Sequence, residues 1–148
     1  MMYAKTGWWR RTGRGRRATT VLELALVLPI VLVFILGSID FAEVMYAYGT
    51  VSEAARTGAR YAMVHGAMAS SPVGPAANDA TVESVVRSNA LALNPSALTV
   101  TSSWGAGDNN VTSPVTVTAT YTCNFSVGKL VGLGTINVSG STTMMIAH

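Results

Sequence analysis

The sequence predicts an α+β fold: one long amino-terminal helix that spans a membrane, then a small carboxy-terminal domain of one short helix and about three antiparallel strands. Three observations predict it. Residues 19–39 contain a single charge, Glu23, and come after a basic leader. A three-and-four spacing of apolar residues continues from that run to Gly66 without a break. Beyond Leu98 the chain changes to alternation of apolar and hydroxyl side chains.

The length and charge of the chain set the frame. Its 148 residues suit a membrane segment plus one small globular domain. The chain is 49% hydrophobic and 11% charged, whereas about a quarter of an ordinary soluble sequence is charged. Apolar surface is therefore expected to go to lipid or to a partner. The net charge of +3 is unevenly placed. Lys5, Arg10, Arg11, Arg14, Arg16 and Arg17 stand before Ala18 with no acid among them, and the chain beyond Ala18 is net acidic. Basic flanks stay on the cytoplasmic side, so the amino terminus is expected inside and the rest of the chain outside. The basic stretch is short and lies directly before an apolar run, which is commoner for a topology signal than for a nucleic-acid contact, and no nucleic-acid partner is expected.

Residues 1–18 read as the leader and 19–66 as a membrane-spanning and then amphipathic helix. At about 1.5 Å per residue, residues 19–39 reach roughly 31 Å, close to the hydrocarbon thickness of a bilayer. Pro29 lies inside the run, where a membrane helix tolerates a local kink. A secretory signal cleaved near Gly37 and Ser38 is the alternative. The length of the run and the helical pattern beyond it argue against that. Glu23 sits where a carboxylate is costly. It either favours a helix amino terminus or pairs with a positive charge in an assembly, for example an amino group newly exposed near residue 19.

From Asp40 to Gly66 the apolar positions Phe41, Val44, Met45, Tyr48, Val51, Ala55, Ala59, Ala62 and Met63 mark one helix face. Glu53 stands three residues before Arg56, and Arg60 comes four later. That charged stripe reads as a solvated face or as a contact with a neighbouring subunit. Residues 67–77 form a loop of small residues, and 78–148 the small exported α+β domain. Asn78 and Asp79 offer capping chemistry for a short helix through Leu93, with Val82, Val85, Val86, Ala90 and Leu93 on one face, and Asn94-Pro95 stops it.

Leu98, Val100 and Trp104 share one side of a first strand. Val115, Val117, Ala119, Tyr121, Cys123 and Phe125 share one side of a second, and Ile136, Val138, Met144 and Ile146 one side of a third. So small a core is expected to lean on the outer half of the long helix.

No catalytic, cofactor or metal set emerges. His65 and His148 have no carboxylate beside them in a recognised pattern, and no glycine-rich phosphate loop comes after a strand. Cys123, the one cysteine, reads as core packing. Trp8 and Trp9 suit the headgroup level of a membrane, or a tail that is removed.

Two blocks carry a resemblance. Val21-Leu22-Glu23-Leu24-Ala25-Leu26-Val27-Leu28-Pro29, with Gly37, Asp40 and Glu43, is the first; Ala54-Ala55-Arg56-Thr57-Gly58-Ala59-Arg60-Tyr61-Ala62 is the second. In register, they resemble the TadE-like proteins, the pseudopilins or minor pilins of the tight-adherence system. The resemblance implies a type IV-like pilus role, a pilin-like helical spine, and a single-pass place in the inner membrane. It implies cleavage by a prepilin peptidase five residues before the glutamate, between Ala18 and Thr19. It also implies that Glu23 neutralises a neighbour's amino terminus, and that the partners are the major pilin, other pseudopilins and the assembly platform. The family has glycine before the cut and an aromatic after the glutamate; this chain has Ala18 and Leu24. The alternative reading is a signal-anchored or secreted envelope protein with a ligand- or partner-binding domain.

Overall fold

The computed structural model describes residues 14–125, 132 and 134–147, with side-chain surroundings from Thr19 onward. Lys5, Trp8, Trp9, Arg10, Arg11, His148 and most of the glycine-rich stretch 128–134 lie outside the described residues. Helix α1 runs Arg14–Val64 and α2 Ala80–Asn89; a 3-10 turn, Pro95–Ala97, leads into strands β1 Leu98–Trp104, β2 Pro114–Asn124 and β3 Thr135–Met145. One long apolar helix, one short helix and three antiparallel strands make the α+β fold that the sequence predicts. The chain divides into two compact units, Met1–Leu36 and Gly37–His148.

In the first unit α1 is long and apolar enough to cross a membrane. Every side chain from Thr19 to Leu36 is exposed, and Pro29 sits inside the helix. An apolar helix whose described side chains are exposed in this way suits lipid or other helices around it.

The second unit is a meander, order β1-β2-β3. The register sets Val100 opposite Ala119 and Ala119 opposite Gly140. Period-two alternation therefore stacks the apolar side chains on one face. Leu98, Val100, Trp104, Val115, Val117, Ala119, Tyr121, Cys123, Val138 and Ile146 are all buried there. The other face carries hydroxyls that pair across strands, Thr116 with Thr143 at 2.8 Å, Thr118 with Ser141 at 2.9 Å, and Thr122 with Asn137 at 2.8 Å. Ile136 keeps the inner parity but stands at the strand end and is half exposed.

A lone three-stranded sheet leaves its apolar face to be covered. The outer part of α1 covers it, as the sequence suggests, with Val51, Ala55, Ala59 and Ala62 of the expected face buried but Phe41, Met45 and Tyr48 left outside. Ala47, Val51, Ala54, Ala55, Ala59 and Ala62 are fully buried, while Phe41, Met45 and Tyr48 are 66%, 54% and 52% exposed. The buried stripe lies roughly a quarter-turn away from those three. Its residues are small, which lets backbones close in. A Cβ on Gly58 would stand 2.4 Å from Val86 Cγ2, and one on Gly140 would stand 2.6 Å from Ser52 Cα. The large side chains do not fit in so narrow a space.

Asp79 caps α2, accepting from the N–H groups of Thr81 at 2.8 Å and Val82 at 3.2 Å. Its second oxygen accepts from Gly74 N–H at 3.0 Å, and its own N–H donates to Ser102 Oγ at 2.9 Å. Asn78 does not cap; it takes a left-handed turn, φ 60°. α2 buries Val82 and Val86. It ends at Asn89, short of the expected Leu93, because Ala90 leaves helical geometry (φ −83°, ψ 60°), Ala92 then turns left-handed (φ 60°), and the chain runs on to the Asn94 cap of the 3-10 turn. Residues 66–79 strap the far end of the sheet, with Val73 N–H bonded to His65 O at 2.8 Å. Gly74 (φ +77°) lies so close to the Trp104 ring that a Cβ would clash at 2.4 Å.

Three variants test this packing by chemical denaturation of the full chain in detergent. Gly140→Ala loses about 1–3 kcal/mol by overpacking against the Ser52 backbone. Gly49→Ala, where a Cβ meets open space, gains about 0.5–1 kcal/mol of helix propensity. Asp79→Ala loses about 1–2 kcal/mol with the cap. Burial works against the Asp79 charge, yet the N–H bonds from Gly74, Val82 and Thr81 outweigh it and hold the carboxyl below the ordinary aspartate range. Its contribution is therefore whole above that range and is lost as pH falls through and below it; the Asp79→Ala variant lacks that share of the acid loss.

Candidate functional site

The candidate site is the exposed length of α1. Glu23 lies on the apolar part, exposed, beside Thr20, Leu24 and Val27 around a shallow hollow of about 210 Å³. Helical spacing makes Thr20 and Val27 its neighbours one turn away on either side. Among the described residues the salt bridges are Glu53–Arg56 and Glu83–Arg87, and Glu23 belongs to neither. α1 begins at Arg14, so Ala18 and Thr19 lie inside the helix and Glu23 stands more than two turns in. The attraction between a carboxylate and a helix amino terminus fades within the first turn. In the full-length helix the dipole does not account for Glu23; in a chain beginning at Thr19 the carboxylate would stand just past the first turn, where the effect is stronger but already fading.

The second block lies on the part of α1 that closes the sheet. Glu53 Oε2 and Arg56 Nη1 are 3.2 Å apart, both side chains more than half exposed. Arg60 is exposed one turn on and lines an open groove of about 630 Å³ with Tyr61, Val64, Val85 and Met144. The three charged residues suggested by the sequence thus share one open side of α1, while Ala54, Ala55, Gly58 and Ala59 between them are buried. This block both builds the core and presents a charged surface. Asp40 is buried at 8% exposure and Glu43 is exposed.

A second groove, of about 470 Å³, is lined by Met45, Tyr46, Gly49 and Leu91, with Glu53 at its rim. Tyr46 Oη donates to the Leu91 carbonyl at 3.3 Å. Sequence reasoning placed neither residue in a site. Their only signal is size: Tyr46 stands on the side of α1 that is not buried, and Leu91 in the turn after α2.

The groups with reactive potential are otherwise engaged. Burial first, and the charge of Glu43 second, push the Cys123 thiol up, which keeps it protonated and unreactive. His65 Nδ1 is 2.9 Å from Tyr61 O, and its ring stacks on Tyr61 with centroids 4.0 Å apart. Among the described residues no three His, Cys, Asp or Glu side chains group to hold a metal.

Residues 18–60 match the family described as TadE-like protein. The match opens at Ala18, takes in Glu23 and both charged blocks, and closes at Arg60, before the sheet begins. No curated protein and no solved structure matches the chain.

Exposed ion pairs contribute little to folding. Arg56→Ala and Arg60→Ala are expected to shift the denaturation midpoint by less than about 0.5 kcal/mol equivalent. A larger loss would mean that the stripe is structural and not free for a partner.

Proposed function

We propose, for a chain whose residues 18–60 are TadE-like, the role of a pseudopilin or minor pilin that assembles or primes a tight-adherence, type IV-like pilus. The TadE-like segment is that of a Tad pilus-associated, pilin-like protein, and its one apolar helix is a single-pass anchor. In this reading the helix sits in the inner membrane with the leader cytoplasmic and the sheet domain outside. A prepilin peptidase cuts between Ala18 and Thr19. The protein then works by association, with the major pilin, other pseudopilins and the assembly platform as partners, and catalyses no reaction.

The observation that carries the reading is the place of Glu23. It is the fifth residue counted from Thr19, on a helix whose side chains from Thr19 to Leu36 are all exposed. An unpaired charge at the centre of a bilayer costs about 3 kcal/mol on insertion scales, and less toward the boundary where Glu23 stands. A neighbour's amino group at Thr19 offsets that cost only when two chains lie side by side. Glu23 thereby makes association in the membrane favourable and fixes its register. Cutting at Ala18 also removes all six leader charges, which lets the apolar helix leave the cytoplasmic face.

Ala18, where the family has glycine, favours a second reading, an uncut anchor that holds the domain at the membrane. Tags at both ends separate the two. The proposed role predicts loss of the amino-terminal tag only when the peptidase is co-expressed; retention of both tags on the mature protein removes the processing step. Glu23→Gln keeps the shape and removes the charge. It is expected to leave membrane insertion intact and to deplete the protein from the pilus assembly recovered by affinity capture, whereas unchanged recovery would remove the charge-pairing role.

A further inference from the structure

We infer that the end of the globular unit where α1 enters it is a lipid-contact surface, with Leu91 as the lipid-touching tip outside α1. The inference rests on the reading of residues 19–39 as membrane-embedded and adds a second point of membrane contact, made by the sheet-bearing unit.

Position favours lipid first. Tyr46 lies six residues past Asp40, about 9 Å along a helix. The headgroup layer outside the hydrocarbon is about 5–7 Å deep on each side. The Tyr46 ring is therefore within a side-chain length of that layer. Its hydroxyl holds the Leu91 carbonyl at 3.3 Å, so the loop after α2 is fixed at the same level. Leu91 is 70% exposed, turned out of the core where α2 has ended.

Composition agrees. Phe41, Met45, Tyr46 and Tyr48 are exposed around this stretch of α1, and Leu91 is exposed beside Met45 and Tyr46. Tyrosines with an apolar ring and a polar tip are the residues that membrane–water interfaces collect.

Continuity and charge choose lipid as the occupant. The belt begins where the exposed apolar run of the same helix ends. Residues 37–55 contain no lysine or arginine, and the nearby Arg87 is paired with Glu83 at 2.7 Å. No basic patch attracts anionic headgroups, so the fit is to a zwitterionic surface such as phosphatidylcholine.

The test uses the full chain in phosphatidylcholine nanodiscs, with Cys123→Ala and one new cysteine carrying an environment-sensitive fluorophore, as Leu91→Cys, Met68→Cys or Ile30→Cys. All three positions are exposed, so the label leaves the core intact. The Leu91→Cys label is expected to lose most of its fluorescence to a headgroup nitroxide lipid and almost none to aqueous iodide; the Met68→Cys label should do the reverse. The Ile30→Cys label reports insertion separately through an acyl-chain nitroxide. If it is not quenched, the membrane reading fails and the inference with it. If it is quenched while iodide reaches residues 91 and 68 alike, the inference alone is overturned. A label at residue 91 shielded from both quenchers marks a protein neighbour, such as a second copy, and overturns it as well.

Discussion

A three-stranded sheet has one apolar face and too little of its own chain to cover it. The close approach of α1 to that face, at Gly140 against the Ser52 backbone and at Gly58 against Val117, with Val86 of α2 packed on Gly58 as well, is the contact on which the globular unit depends. It works because the facing residues are alanine, valine and glycine, which let backbone meet backbone. The same helix carries the apolar run with Glu23. One element thus carries both the apolar run and, from Ala47 to Ala62, the small residues of the core.

This sharing explains where the charges stand. The helix gives its small residues to the core, so the long and charged ones, Glu53, Arg56 and Arg60, stand outward in the same few turns. A segment of this kind is constrained on both sides, which fits a family match that ends at Arg60 and leaves out the sheet. The strands answer to a weaker demand. They need an apolar inner face and a hydroxyl outer face, and many sequences meet it.

Much of this was legible in the sequence. Alternation from Leu98 to Trp104 and through Val115 to Cys123 read directly as strands, because period two leaves no competing helical solution. The face of α1 was misread at Phe41, Met45 and Tyr48, because apolar spacing counts hydrophobicity and not size. Two stripes competed, and the gap available against the sheet selected the smaller. The stop of α2 at Asn89 and the reach of Asp79 back to Gly74 go with backbone turns at Ala90 and Asn78, which local composition does not announce. Of the candidate site, the sequence identified Glu23, Glu53, Arg56 and Arg60, and the structure locates all four on α1. The pairing of Tyr46 with Leu91 joins residues 45 apart in the chain, and no local pattern encodes it.

One covalent fact decides the proposed role: the first residue of the mature protein. Intact-mass measurement and amino-terminal sequencing of the chain purified from membranes that also hold its prepilin peptidase give it directly. A mature protein beginning at Thr19, with Glu23 fifth, is the expected result. A chain that keeps residues 1–18, or one that begins after Gly37 and so lacks Glu23 altogether, would contradict it.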